Sequence, residues 1–186
     1  TSSVNFYENV NQKEVENFYS KFNSKGNEPE WVLNSKVEKD STGNVVEKVW
    51  KTGGMYSPEI EKIIGWLEKA IVVAEDSEQK TALQLLVQFY KTGDLHTWDA
   101  YNIAWVKDIN SRIDVVNGFI EVYFDPLGKK GSWESVVSMK DLKATKIIKM
   151  IADQAQWFED HSPILPQDKK KNVKGIIAKA ITVIVE

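Results

Sequence analysis

The 186-residue sequence contains no cysteine. That excludes disulfides, zinc knuckles, thiolate nucleophiles and iron–sulfur ligation together, and it leaves the redox compartment open because nothing in the chain depends on it. Histidine is nearly absent as well, with His96 and His161 alone and neither paired at a spacing that puts two imidazoles on one helical face. A catalytic zinc site needs three protein ligands, so capping or surface roles account for both histidines better than metal binding does. No apolar run approaches the roughly 20 residues needed to cross a bilayer, and the start Thr1-Ser2-Ser3-Val4 has neither part of a signal peptide, so no membrane partner is expected. The 24 basic and 27 acidic side chains leave a net charge of −3, without the basic surface that captures phosphate backbones, and nucleic acid is not expected as a partner. Phosphate-cradling glycine motifs and a Gly-x-Ser-x-Gly elbow are missing too.

What is present is the composition of an ordinary folded domain, 42% apolar, 27% charged and 11% aromatic. Asn11 with Glu14 forms a capping-box pattern ahead of Val15, Phe18, Tyr19 and Phe22, a helix that Gly26 and Pro29 would close. Residues 31–39 and 45–52 flank Asp40-Ser41-Thr42-Gly43-Asn44, which reads as a β-hairpin with a five-residue turn. Ser57-Pro58-Glu59 reads as an N-cap and first turn for a helix carrying Ile60, Ile63, Ile64, Leu67 and Ile71. A second helix from an N-cap at Ser77 carries Leu83, Leu86, Val87 and Tyr90 and stops at Gly93, so the two should pair antiparallel. Asp94 opens a shorter helix whose Trp98, Tyr101 and Trp105 form a core stripe.

Val115 to Phe124 is the densest β-forming run, ended by Asp125-Pro126, and Gly128-Lys129-Lys130-Gly131 reads as a turn with two solvated charges. Ser132 to Met139 is expected to be a strand. Asp141 then opens one long helix with Ala144, Ile147, Ile148, Ile151, Ala155 and Phe158 on one face, stopped by Pro163 and Pro166. Ile176 to Val185 is apolar on both faces, as a strand in the middle of a sheet would be, and a chain stopping one residue later suggests truncation inside a larger fold. The expected fold class is α+β, with helical hairpins beside a mainly antiparallel or mixed sheet of about five strands.

Strand alternation puts Phe119, Glu121 and Tyr123 on one face. Such a face is either a half-exposed sheet surface meeting water or a groove in which a carboxylate and a phenol serve a ligand. Glu134, beside Trp133 on the next strand, would add a second negative charge. Two carboxylates near an aromatic wall suit an ammonium, such as the free N-terminus of a short peptide.

The stretch Val116-Asn117-Gly118-Phe119-Ile120-Glu121-Val122-Tyr123-Phe124-Asp125-Pro126-Leu127-Gly128, continued by Gly131-Ser132-Trp133-Glu134-Ser135-Val136-Val137, resembles the dipeptidyl peptidase III family of zinc exopeptidases. The flanking Lys51-Thr52-Gly53-Gly54-Met55-Tyr56-Ser57-Pro58 and Ala155-Gln156-Trp157-Phe158-Glu159-Asp160-His161-Ser162-Pro163 look like its Bacteroidetes-type members, so the likeness runs along nearly the whole chain. The resemblance implies a two-lobed, cytoplasmic enzyme that releases dipeptides from peptide N-termini. It assigns binding of the substrate amino group to Glu121, with Glu134 lining the same subsite and Phe119 grouped with them as substrate-binding. Tyr123 becomes the catalytic residue that stabilises the oxyanion. The family's His-Glu-x-x-Gly-His zinc motif is nowhere in the chain, so the zinc cofactor belongs to the parent enzyme and none is expected on this segment. Residues 1–186 then read as one incomplete segment N-terminal to the zinc site, catalytically inactive alone, with the remainder of its own polypeptide as a partner. Within it, 1–140 and 175–186 would belong to the β-core lobe and 141–174 to a helical excursion toward the metal-bearing lobe. From another class, the residues also fit a stand-alone, non-catalytic peptide-binding module that uses strand addition.

Overall fold

A computed structural model describes residues 4–21, 33–173 and 179–186. It is α+β, but its strands form two three-stranded sheets where the sequence suggests one of about five. The chain divides into two compact units, Thr1–Asp108 with Asn117–Glu134, and Ile109–Val116 with Ser135–Glu186. No helix among the described residues is long and apolar enough to cross a membrane.

In the first unit, β1 (Tyr7–Glu8) pairs parallel with β2 (Ser35–Lys39), which pairs antiparallel with β3 (Val45–Val49). The hairpin turn is the expected one: the Asp40 carboxylate accepts from the backbone N–H groups of Thr42 and Asn44, each at 2.9 Å. Helix α1 (Gln12–Tyr19) starts with the full capping box, Asn11 accepting from the Glu14 N–H and Glu14 from the Asn11 N–H. It stops at Tyr19; the closing residues Gly26 and Pro29, with Phe22 and Trp31, lie outside the described residues.

Helices α2 (Ser57–Val72), α3 (Ser77–Thr92) and α4 (Leu95–Lys107) follow with short connections and pack in succession. Most of their predicted stripes are buried, Ile60, Ile64 and Leu67 from α2, Leu83, Leu86, Val87 and Tyr90 from α3, Trp98 and Tyr101 from α4, while Ile63, Ile71 and Trp105 are half-buried against them. Each buried side chain contributes about 2 kcal/mol by leaving water. Two caps sit one residue earlier than the sequence suggests. Tyr56, in the left-handed region at φ 61°, caps α2, while the Ser57 hydroxyl accepts from the Gly53 N–H and donates to Glu61. Asp76 caps α3 in place of Ser77 because its carboxylate reaches the Gln79 N–H at 2.9 Å. Gly93 (φ 71°) ends α3, and Asp94 caps α4.

Strand β4 (Ile113–Glu121) ends three residues before the predicted Phe124. The Asp125 N–H donates to the Val122 carbonyl at 3.0 Å, so the chain is already turning after Val122, and Tyr123 lies in that turn. Strict alternation fails inside β4 as well: Asn117, Gly118 and Phe119 are consecutive and all buried. Gly118 adopts φ 155° and lies against Trp98, where an added Cβ would come 2.3 Å from the ring.

The turn leading to β5 (Ser132–Lys140) corrects the sequence reading most sharply, since only one of its two lysines is solvated. Lys129 is exposed, whereas Lys130 is fully buried. The Lys130 ammonium donates to the hydroxyl oxygens of Tyr19 (2.9 Å) and Ser35 (2.8 Å), and both hydroxyls donate to Glu47 Oε1. Glu47 itself lies 3.9 Å from the ammonium, and the rings of Tyr7 and Tyr19 lie 5.7 and 5.2 Å away. The buried Asp125 carboxylate accepts from the N–H groups of Leu127, Lys129 and Lys130 and from the Tyr7 hydroxyl.

In the second unit, β6 (Ile181–Val185) pairs antiparallel with β5, with an irregularity between Val137 and Ser138. Every residue of β6 is exposed, contrary to the centrally buried strand expected over Ile176–Val185; β6 is the outer strand of the order β4-β5-β6 and pairs along one side only. Residues 176–178 of that run lie outside the described residues. Asp141 caps as expected, but the single long helix is two, α5 (Leu142–Ala152) and α6 (Ala155–His161). At the break the Gln154 N–H reaches the Ile151 carbonyl three residues back, and Gln154 leaves helical geometry at ψ 14°. Ile147, Ile151 and Phe158 are exposed, so the predicted apolar stripe is formed without being buried.

Two stability measurements follow from these contacts. Gly118→Ala should destabilise by about 2 kcal/mol or more, because the methyl must displace the Trp98 ring and the alanine must hold a positive φ; denaturant unfolding showing under about 0.5 kcal/mol would contradict this. Burial lowers Lys130 from 10.5 to about 8, opposed by the charges of Glu47 and Asp125. Between pH 8 and 10.5 the unfolded chain therefore binds more protons than the folded one, and stability rises with pH across that window. Tyr7 and Tyr19, raised by burial and by the charges of Asp125 and Glu47, act oppositely above pH 10. Measured from pH 8 to 10, the wild type should gain about 2 kcal/mol relative to Lys130→Met, and an unchanged difference would contradict the assignment.

Candidate functional site

The candidate residues lie on the short path from the end of β4 through the turn to the start of β5. Glu121 is the last residue of β4 and is exposed. Tyr123, two residues on, is 68% exposed with its ring against Phe124 at 4.5 Å between centroids. Glu121 ends the strand and Tyr123 lies in the turn that follows, so alternation along one strand does not relate the two side chains. Glu134 is on β5 and half-buried, beside Trp133.

Phe119 is placed differently from the other three. It is buried, 4.8 Å from Trp50 between ring centroids and edge-on to Phe89 and Tyr90. It also lines an apolar cavity of about 610 Å³ together with Phe6, Trp50, Tyr56, Ile60 and Trp133. Glu121 and Tyr123 are not among the residues lining that cavity.

Two anchors hold the path. The Trp133 indole N–H donates to the Tyr90 hydroxyl at 2.9 Å, and that hydroxyl donates to Asn117 Oδ1, so the start of β5 and the middle of β4 share one buried tyrosine. Burial raises the Tyr90 phenol well above its usual range, which keeps it a neutral donor. The second anchor is the Asp125 and Lys130 network between Tyr123 and Glu134. Sequence reasoning missed it: a lysine between glycines in a turn carries no periodicity that would mark it as buried, and its partners Tyr19, Ser35 and Glu47 are far away in sequence.

The resulting surface offers an exposed carboxylate and an exposed phenol, close in sequence, with a second carboxylate on the adjoining strand. A carboxylate binds an ammonium by charge-assisted hydrogen bonds, and a phenol can donate to an oxygen that gains negative charge. Among the described residues no group of three or more His, Cys, Asp or Glu side chains could hold a metal ion. His161 stacks on Trp157 and its Nδ1 meets the Trp157 carbonyl at 2.8 Å, while His96 sits exposed in the first turn of α4. The described residues do not fit zinc.

Comparison with known proteins agrees with this architecture. The family model described as Peptidase family M49 matches residues 3–171. Dipeptidyl peptidase 3 of Rattus norvegicus is 31% identical over 122 residues, which is 63% of this chain and 16% of that protein. The solved structure of DPP III from Caldithrix abyssi superposes with a TM-score of 0.73 at 23% identity, covering 91% of this chain and 31% of that one. Dipeptidyl-peptidase III from Corallococcus sp. strain EGB gives 0.63 at 19% identity, covering 90% and 30%. The chain thus spans about a sixth of the rat relative's length. With the family model matching most of its residues, and the same lobe architecture recurring in both solved structures, the chain belongs to peptidase family M49, the dipeptidyl peptidase III family.

Proposed function

We propose that this chain is the part of a zinc-dependent, cytoplasmic dipeptidyl peptidase III that receives the N-terminus of a short peptide. The observation that carries the reading is the exposure of Glu121 and Tyr123 at the end of β4, held there by a buried framework. Glu121 binds the substrate's α-ammonium, with Glu134 adding negative charge on the adjoining strand. Phe119 supports the binding surface from beneath. The Tyr123 hydroxyl donates to the carbonyl oxygen of the scissile bond as it becomes an oxyanion. The activated water of such an enzyme would come from zinc held by residues outside this chain. In this reading the coding sequence continues beyond Val185 into a helix bearing His-Glu-x-x-Gly-His, whose lobe is the chain's partner. An open reading frame ending without that motif would favour a peptide-binding module instead.

In the full-length protein, Tyr123→Phe should lower kcat by about 100-fold with little change in KM, the loss of one transition-state donor. Glu121→Ala should raise KM for free-amine peptides by about tenfold or more and leave N-acetylated peptides bound as weakly as before. Steady-state dipeptide release measures both, and unchanged constants in folded variants would remove these residues from the mechanism. The 186-residue chain itself should release no dipeptides and hold no stoichiometric zinc by elemental analysis; one zinc per chain would contradict the assignment.

A further inference from the structure

A fully buried ammonium is costly unless every proton and the charge are answered. Much of that requirement is met by a circuit of hydroxyls: two of the three Lys130 protons go to Tyr19 and Ser35, and the hydroxyl protons of these go to the single oxygen Glu47 Oε1. The groups facing it come from every neighbouring element: Tyr7 from β1, Tyr19 from the end of α1, Ser35 from β2, Glu47 from β3 and Asp125 from its own turn. Asp125 completes the frame by collecting three backbone N–H groups of the turn and the Tyr7 hydroxyl. The chain from residue 122 to residue 131 is thus fastened at its middle and at its end to the three-stranded sheet, while Tyr123 and Glu134 lie just outside the fastened points. A turn of this length needs no buried lysine merely to close, and the Gly131 N–H already ties it to the Leu33 carbonyl at 2.8 Å.

We infer that Lys130 and Asp125 are positioning residues: through the buried network they fix the turn that sets where the Tyr123 hydroxyl and the Glu134 carboxylate are presented. This rests on the proposed peptidase reading for its catalytic consequence, but not for its structural one. Neither residue touches substrate in this account. Both act through Tyr123 and Glu134, so their removal should alter turnover by folded enzyme rather than only the amount folded.

The test uses the full-length protein with Lys130→Met, which keeps the volume and removes the charge, and Asp125→Asn. Backbone hydrogen exchange of the turn should speed up about tenfold or more in both, at the Leu127, Lys129 and Lys130 amides, while exchange in α3 stays unchanged. Dipeptide release should fall about tenfold or more in Lys130→Met at temperatures well below its melting point, and the same substitution should have much less effect in a Tyr123→Phe background. Unchanged exchange in the turn, or an equal loss of turnover in both backgrounds, would overturn the inference. If Lys130→Met does not fold, Ser35→Ala removes one acceptor of the circuit and should produce the same pattern in weaker form; its absence counts against the inference equally. Full turnover by Tyr123→Phe alone would overturn the peptidase reading, and the exchange rates would still decide whether the network holds the turn.

Discussion

The structure of the first unit is organised around one buried lysine, whose charge is costly to hold there. An ammonium taken out of water loses several kcal/mol of hydration, and a single counterion rarely compensates. Here the compensation is distributed: two hydroxyls carry the charge of Lys130 to Glu47, two tyrosine rings line its surroundings, and Asp125 holds the backbone from which it projects. Satisfying that charge brings β1, the end of α1, β2, β3 and the turn after β4 to one place. Without α1 or β2 the Lys130 ammonium would lose the Tyr19 or Ser35 hydroxyl as an acceptor.

The surface proposed to meet a peptide follows from the same network. β4 cannot continue past Glu121, because Asp125 draws the chain into a turn whose amide groups point at its carboxylate. The apolar packing of Phe119 against Trp50 and the Trp133 to Tyr90 hydrogen bond fix the strands on either side. Between those buried points Glu121 and Tyr123 remain in solvent. A flexible acid and phenol would lose ordering entropy on meeting a peptide, whereas groups at the ends of fastened segments lose less of it.

What the sequence disclosed and what it hid divide by the range of the interaction. The capping box at Asn11, the Asp40 turn, the Gly93 stop and the stripes of α2 to α4 are set by residues within a few positions of one another, and all stand where the local pattern puts them. The caps lie one residue before Ser57 and Ser77: the Ser57 hydroxyl is taken by the Gly53 N–H and Glu61, and Asp76 offers an acceptor equivalent to Ser77. Lys130 was illegible because its burial is decided by residues 83 to 111 positions away. The break between α5 and α6 contains neither glycine nor proline, so periodicity ran straight through it. The position of β6 is not legible because an apolar strand reads the same whether one edge is paired or two. In the site, the motif is conspicuous as a string of residues, but the chain leaves strand geometry at Val122, so alternation does not relate Glu121 to Tyr123.

The central claim is that Glu121 and Tyr123 meet the N-terminal end of a peptide from a frame locked by Lys130. A crystal structure of the full-length peptidase with a slowly cleaved, free-amine peptide tests it most directly. The account predicts the peptide's α-ammonium against the Glu121 carboxylate, the Tyr123 hydroxyl toward the first scissile carbonyl, and Lys130 still enclosed by Tyr19, Ser35 and Glu47. A peptide amine bound away from Glu121, or Lys130 released into solvent with the site occupied, would contradict it.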